Sequence, residues 1–187
     1  MRSLSVFNSV SVDGFFTDAN SELGWAYKFG GDAEYNAWVG ENAKSGGGML
    51  VYGRKTYDMM VAYWPTPQAM EERPVVAKGI NASPKIVFSR RMEKATWNNT
   101  TLIKEDPVAA MKKLKAEPGP NLVVMGSGQI VSQLAAAGLV DRYTLPVIPT
   151  VLGKGRSMFE GLDRPIDLRL AGTRSFKNGI VVLTYER

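Results

Sequence analysis

The segment Leu50-Val51-Tyr52-Gly53-Arg54-Lys55-Thr56-Tyr57 constrains this chain more than any other. An apolar strand of the buried type breaks at a glycine, and Arg, Lys and Thr then open a helix. Main-chain N–H groups at a helix start lack intrahelical partners, and that end of the dipole is positive. The side chains add formal charge and a hydroxyl. The corner therefore reads either as an anion site suited to a phosphate-bearing cofactor or as a solvated strand end.

Two other places follow the same pattern. Lys85-Ile86-Val87-Phe88 is a short apolar strand ending in Ser89-Arg90-Arg91. Leu122-Val123-Val124-Met125 is a continuous apolar run ending in Gly126-Ser127-Gly128-Gln129-Ile130, whose second glycine would admit a pyrophosphate close to the backbone. This is not the G-x-G-x-x-G dinucleotide fingerprint, because its third glycine would fall at Val131. Each corner taken alone has a bland alternative as a tight or solvated turn. All three lie at the C-terminal ends of predicted strands, where open α/β sheets collect ligands.

The remaining pattern predicts the frame. Leu4 to Val10 alternates as a first strand, and Asp13-Gly14 and residues 17–21 are turn chemistry. A helix is expected from Asp32 as N-cap to Ala43, with Tyr35, Trp38 and Val39 on one face and Ser45-Gly46-Gly47-Gly48 ending it. A helix from Lys55 to about Ala62 should stop before Trp64-Pro65-Thr66-Pro67. Asp106-Pro107 starts another with Val108, Met111 and Leu114 inward, and Pro118-Gly119-Pro120 terminates it. The helix after Gly128 turns Ile130, Val131 and Leu134 inward and ends at Gly138. Strands at 142–148, 168–176 and 180–185 follow, the last two joined by the hairpin signal Asn178-Gly179. Early strand–helix alternation and a late hairpin predict an α/β sandwich, mainly parallel, with an antiparallel C-terminal edge. One domain over residues 1–187 is expected.

Composition removes whole classes of chemistry. Cysteine and histidine are both absent, so thiolate nucleophiles, disulfides, Ser-His-Asp triads, His–metal sites and imidazole proton shuttles are excluded. No metal site is expected. Acid–base work would fall to Asp, Glu, Lys, Tyr or water, which favours a reaction whose hard step a cofactor carries. The net charge of +5 is spread along the chain without a basic run beyond Lys112-Lys113, so a small anion is a better partner than nucleic acid. The start has no apolar stretch of signal-peptide type, and no window approaches the roughly 18 apolar residues of a membrane span. A soluble, cytoplasmic protein without membrane contact is expected.

Five groups of residues occur in order: Ser9-Val10-Ser11-Val12-Asp13-Gly14; Gly53-Arg54-Lys55-Thr56-Tyr57 with Tyr63-Trp64-Pro65; Gly126-Ser127-Gly128; Gly138-Leu139-Val140-Asp141-Arg142-Tyr143; and Pro149-Thr150-Val151-Leu152-Gly153-Lys154-Gly155. Together they resemble the dihydrofolate reductase-like superfamily, in the branch of the riboflavin-biosynthesis reductase (RibD) C-terminal domain. The resemblance covers nearly the whole chain. It implies a dihydrofolate reductase-like three-layer α/β sandwich, NADPH as hydride donor and frequent homodimers. It places Gly53, Arg54, Lys55 and Thr56 on the NADPH phosphates and Ser89 and Arg90 near the adenosine 2′-phosphate. Gly126, Ser127, Gly128, Gln129 and Ile130 would cradle the pyrophosphate and the nicotinamide side. Val10 and Ser11 would line the nicotinamide pocket, and Asp13 would shape its turn.

The sequence departs from relatives in two ways. Dihydrofolate reductases carry an acid on the helix before the G-R-x-T motif, and the matching position here is Ala37. Asp32 and Glu34 are the nearby candidates for the catalytic acid, although Asp32 also reads as an N-cap. The zinc ligands of the deaminase-like domain usually fused to the riboflavin-pathway reductase are absent, and no second basic cluster for a ribose phosphate stands out. Lys154 and Arg156 are candidate substrate contacts or a solvated glycine loop. Trp25 follows the position of the superfamily's mobile flap and reads as a core or interface residue or as a platform for a substrate ring. The expected activity is that of a stand-alone NADPH-dependent reductase of a small planar heterocycle, pyrimidine or pterin-like. The alternative is a non-catalytic NADP(H)-binding protein that keeps the fold.

Overall fold

The apolar runs between glycine- and proline-rich breaks become strands, and the segments with helical spacing cover them on both faces. A computed structural model describes residues 1–44 and 48–187. In chain order these form β1 (Leu4–Phe7), β2 (Val10–Ser11), β3 (Thr17–Asp18), α1 (Gly24–Tyr27), α2 (Ala33–Lys44), β4 (Met49–Gly53) and α3 (Arg54–Tyr63). Next come α4 (Pro67–Glu72), α5 (Pro74–Ala82), β5 (Lys85–Phe88), β6 (Thr100–Ile103), α6 (Pro107–Ala116), β7 (Leu122–Val124) and α7 (Gly128–Ala136). The chain closes with β8 (Arg142–Ile148), β9 (Gly155–Arg156), β10 (Arg169–Ser175) and β11 (Val181–Glu186).

The main sheet runs β10-β11-β8-β1-β7-β4-β5-β6, with β2 added beside β8. From β8 to β6 every pairing is parallel, and β11 and β10 complete the sheet in the antiparallel sense. This is the expected three-layer arrangement. Successive strand residues point to opposite faces, which explains the unbroken apolar run at 50–52. Val51, with Val6, Ile86 and Val124, packs under Met111 of α6 and Ile130, Val131 and Leu134 of α7. Leu50 and Tyr52, with Val87, pack under Tyr57 and Met60 of α3 and Ala77 and Ile80 of α5. A third cluster joins Trp25, Ile148, Phe176, Ile180 and Val182, against which Tyr35 and Trp38 of α2 are packed.

Punctuation residues behave as their chemistry requires. Asp32 Oδ1 accepts from the Tyr35 N–H at 2.9 Å, and Asp106 Oδ1 accepts from the Ala109 N–H at 2.9 Å. Gly138, at φ +68°, closes α7 in the left-handed region, where a side chain would be strained.

The structure departs from the expected frame where one signal serves two purposes. The first strand does not run on to Val10; it breaks at Asn8-Ser9 and resumes as β2. The prolines that stop α3 also start new helices. Thr66 caps α4 by accepting from the Ala69 N–H, Pro67 occupies its first turn, and Pro74 opens α5. The expected helix stop at 45–47 lies outside the described residues.

Candidate functional site

The β4–α3 and β7–α7 corners are adjacent because their strands are neighbours, and the structure interlocks them. The Gly53 N–H donates to the Gly126 carbonyl at 2.9 Å. A Cβ on Gly53 would lie 2.5 Å from Ser127 Oγ and 3.2 Å from Ile130 Cγ1. A Cβ on Gly126 would lie 2.9 Å from Thr56 Oγ1 and 3.1 Å from Phe16 Cζ, at a φ of +108°. Each glycine thus faces the hydroxyl residue of the other corner. The Gly126–Ser127 peptide bond is cis.

Neither α3 nor α7 has a side chain capping its first turn. Their leading N–H groups therefore remain available where the positive ends of both dipoles meet. Arg54 and Lys55 are exposed on the first turn of α3, and Gln129 is exposed on the first turn of α7. Arg54 pairs with Asp58 one turn on at 2.8 Å. Beside them, at the end of β5, Ser89 Oγ accepts from the N–H groups of Arg91 (3.3 Å) and Met92 (3.0 Å). That tight turn presents Arg90. Among the described residues, Lys55, Arg90 and Arg91 have no carboxylate within 4.0 Å. The edge is a concentration of unmatched donors and cations.

Not every expected contact is open to a ligand. Gly128 packs on the main chain of the 157–158 segment, because a Cβ there would lie 3.1 Å from Met158 Cα. Its lack of a side chain serves this internal packing. Ile130 is buried against Gly53. Ser11 is 1% exposed, and its hydroxyl accepts from the Phe15 N–H at 2.9 Å inside the turn, so it does not line a pocket. Val10 is half-buried beside Val147. Asp13 clamps the neighbouring loop by accepting from the N–H groups of Leu152 (3.1 Å) and Gly153 (2.7 Å). The Ser11 hydroxyl and these N–H groups hold its carboxyl below the ordinary range.

Both candidate acids are committed elsewhere. Asp32 caps α2 and also accepts from the Asn178 N–H at 3.1 Å. The Tyr35 N–H, first among these bonds, holds it ionised below the ordinary carboxylate range. Glu34 pairs with Arg174 of β10 at 3.1 Å, both about half exposed. These carboxylates therefore tie α2 to the antiparallel hairpin and are not brought to the Gly53–Gly126 corner. Ala37 lies on the exposed side of α2. Trp25, at 6% exposure, is a core residue and not a ring platform. Lys154 borders a separate depression of about 440 Å³ with Asp18, Ala19, Asn20, Leu152 and Gly153.

Asn8, which the sequence did not single out as a site residue, lies beside the corner. Asn8 is 5% exposed, and with its carboxamide nitrogen as donor it bonds the carbonyls of Met125 (3.2 Å) and Phe7 (3.0 Å). It ties the end of β1 to the residue before Gly126. The Tyr35 ring is held against Trp38 (5.9 Å) and Phe176 (5.2 Å). An asparagine interrupting an alternating strand was the available signal for this segment.

The family described as the RibD C-terminal domain matches residues 2–182. The uncharacterized proteins YyaP and YwjB of Bacillus subtilis (strain 168) are 27% and 26% identical to this chain. YyaP aligns over 95% of this chain and 90% of its own length, and YwjB over 96% and 95%. Among solved structures, a protein named for riboflavin biosynthesis from Shewanella sp. PV-4 superposes with a TM-score of 0.73 at 22% identity, covering 99% of this chain and 98% of that one. A pyrimidine reductase-like protein from Corynebacterium diphtheriae NCTC superposes with a TM-score of 0.62 at 14% identity, covering 99% and 91%. At these identities the superpositions show a shared fold.

Proposed function

The chain belongs to the RibD C-terminal domain family, and on that premise we propose that it is an NADPH-dependent reductase of a small planar heterocycle of the pyrimidine type. The observation that carries the proposal is the interlocked pair of uncapped helix starts at Gly53 and Ser127, with Arg54, Lys55 and Arg90 exposed around them. Unpaired N–H groups and cations at adjacent strand ends suit a polyanionic dinucleotide. The α3 and α7 starts, with Arg54, Lys55 and Gln129, would hold the pyrophosphate, and Arg90, presented by the Ser89 turn, would meet a 2′-phosphate. The bound cofactor supplies hydride. The protein's part is placement: the Asn8–Met125 tie fixes the floor of the cleft beside Gly126. With Asp32 and Glu34 engaged on the hairpin, the proton comes from solvent.

That same engagement of both carboxylates favours a second reading, a protein that binds NADP(H) without turnover. Titration of the protein with NADPH, followed by nicotinamide fluorescence, should saturate in the micromolar range. Arg54→Ala should weaken NADPH and NADH alike, and Arg90→Ala should weaken NADPH more than NADH. An absence of saturable binding overturns both readings. Oxidation of NADPH by any member of a panel of pyrimidines, pterins and quinones selects the reductase.

A further inference from the structure

The antiparallel end of the sheet carries apolar side chains that the chain leaves partly exposed. α6 and α7 cover the parallel strands on one face, and α2 packs with Ile148, Phe176 and Val182 on the other face of β8 and β11. On the α7 side, two cross-strand rows, Leu145–Leu183–Thr173 and Val147–Val181–Ser175, run from β8 through β11 to β10. The 157–168 segment covers the next row, Tyr143–Tyr185, with the Phe159 ring 5.9 Å from that of Tyr143. Val147, Val181 and Leu183 join none of the three core clusters of the described residues, and every residue of β10 is exposed.

No position in those rows is charged, although 22% of the chain is. The charges of the same strands alternate to the opposite face, where Arg174 pairs with Glu34, and Arg142 and Arg169 pair with Glu186. The uncharged face continues beyond the three strands. Val10 of β2 is the partner of Val147, Leu170 is the partner of Tyr185, and the Val12 N–H donates to the carbonyl of Thr150, the residue before Val151. Val12, Val151, Leu170 and Val181 are four of the eight large apolar side chains exposed among the described residues, so half of them border one face. Single exposed apolar residues are ordinary, whereas a contiguous uncharged face marks a contact surface.

We propose that this face of β8, β11 and β10 is an interface with a second copy of the chain, the two sheets packed face to face about a two-fold axis. Each copy carries a net charge of +5, so identical surfaces can meet only where like charges are absent, and these rows supply that surface. An anionic partner would need cations here, and the arginines of β10 are on the other face in ion pairs. Pairing through the free edge of β10 is opposed by the bulge between Leu170 and Gly172, which twists the edge out of register. Three strands of about seven residues span roughly 20 by 14 Å. With the pleat, β2 and the Val12–Val151 tip added, each copy offers on the order of the 500 Å² that a small specific interface buries per partner.

The test is sedimentation velocity of the full chain from about 1 to 100 μM, with no ligand added. A species of twice the 20.5 kDa chain should form, with a dissociation constant in the micromolar range or below. Thr173→Lys and Val181→Lys each bring two like charges into the contact and should raise that constant at least about tenfold. Met59→Lys, which adds the same charge at an exposed position of α3 on the other side of the sheet, should leave it within about twofold. Circular dichroism of the same samples reports folding; if Val181→Lys unfolds, Thr173→Lys, whose side chain is outside the core, still decides. A monomer throughout the range, a dimer that the two β-strand lysines leave unchanged, or one that Met59→Lys weakens equally overturns the proposal. So does a monomer that binds neutral phosphatidylcholine vesicles and loses that binding in Thr173→Lys.

Discussion

The two ends of the parallel sheet handle polar groups in opposite ways. At the N-terminal end, buried cations find partners within the chain. Lys85, 1% exposed, donates to the carbonyls of Asn81 (3.0 Å), Ser83 (2.7 Å) and Asn98 (3.1 Å) and lies 4.6 Å from the Trp97 ring centroid. Arg2 Nη1 donates to the Leu114 carbonyl at 3.4 Å near the end of α6. Lys115 bridges the Leu139 carbonyl and Asp141, and Asp141 accepts from the Leu4 N–H at 2.7 Å. At the C-terminal end, two helix starts carry no side-chain cap and, among the described residues, Lys55, Arg90 and Arg91 have no carboxylate within 4.0 Å. One end is satisfied within the chain, and the other leaves donors unpaired, as the proposed NADPH site requires. Mutations should therefore divide by end: those at the unpaired end should change binding, and those at the satisfied end should change stability.

The largest effect on binding is expected from Gly126→Ala. The added methyl meets Thr56 Oγ1 and Phe16 Cζ at a φ that L-residues rarely adopt, and relief would push the two corners apart. NADPH affinity should fall by about a hundredfold, roughly 2.7 kcal/mol. Titration beside a thermal melt would check this. A melt lowered strongly with binding intact would break the division between the ends.

Lys85→Met is the counterpart at the other end. It leaves three buried carbonyls without their shared donor and should lower stability by about 2–3 kcal/mol without changing NADPH affinity. Burial pushes the Lys85 pKa down to about 8 from 10.5. Below pH 8 both the folded and unfolded chains carry the proton. Between pH 8 and 10.5 the unfolded chain keeps it while the folded chain releases it, so this group makes stability rise with pH, by at most about 1.4 kcal/mol per unit. Other groups also titrate there, so the measured quantity is the difference between wild type and Lys85→Met in urea melts across that window. A flat difference would show that Lys85 remains protonated and that its carbonyl cage outweighs its burial.

The same contrast explains what the sequence made legible. Local signals sufficed for Asp32, Asp106 and Gly138, whose roles depend on main-chain groups a few residues away. The corners at Gly53 and Gly126 were visible singly, because glycine after an apolar run is a local event. Their interlock was not, since β4 and β7 are some seventy residues apart and only the strand order makes them neighbours. Asp32 and Glu34 looked like spare acids for the same reason: their partners Asn178 and Arg174 belong to the last hairpin.

The smallest effect offers the finest probe of the unpaired end. Arg54 is held by Asp58 in an i,i+4 pair in which both partners are nearly half exposed, so the pair contributes only about 0.3–0.5 kcal/mol. Asp58→Asn should release the guanidinium and raise NADPH affinity about twofold, with an equal gain for NADH, which carries the same pyrophosphate. Removing a negative charge near a polyanion would have the same sign without any contact, so the single variant does not isolate Arg54. The double variant Arg54→Ala/Asp58→Asn does. If the gain acts through the freed guanidinium it vanishes in the Arg54→Ala background, whereas a long-range field effect persists there and shrinks as salt is added. Persistence at low salt would place Arg54 outside the phosphate contacts and leave Lys55 as the charge on α3 that meets the ligand.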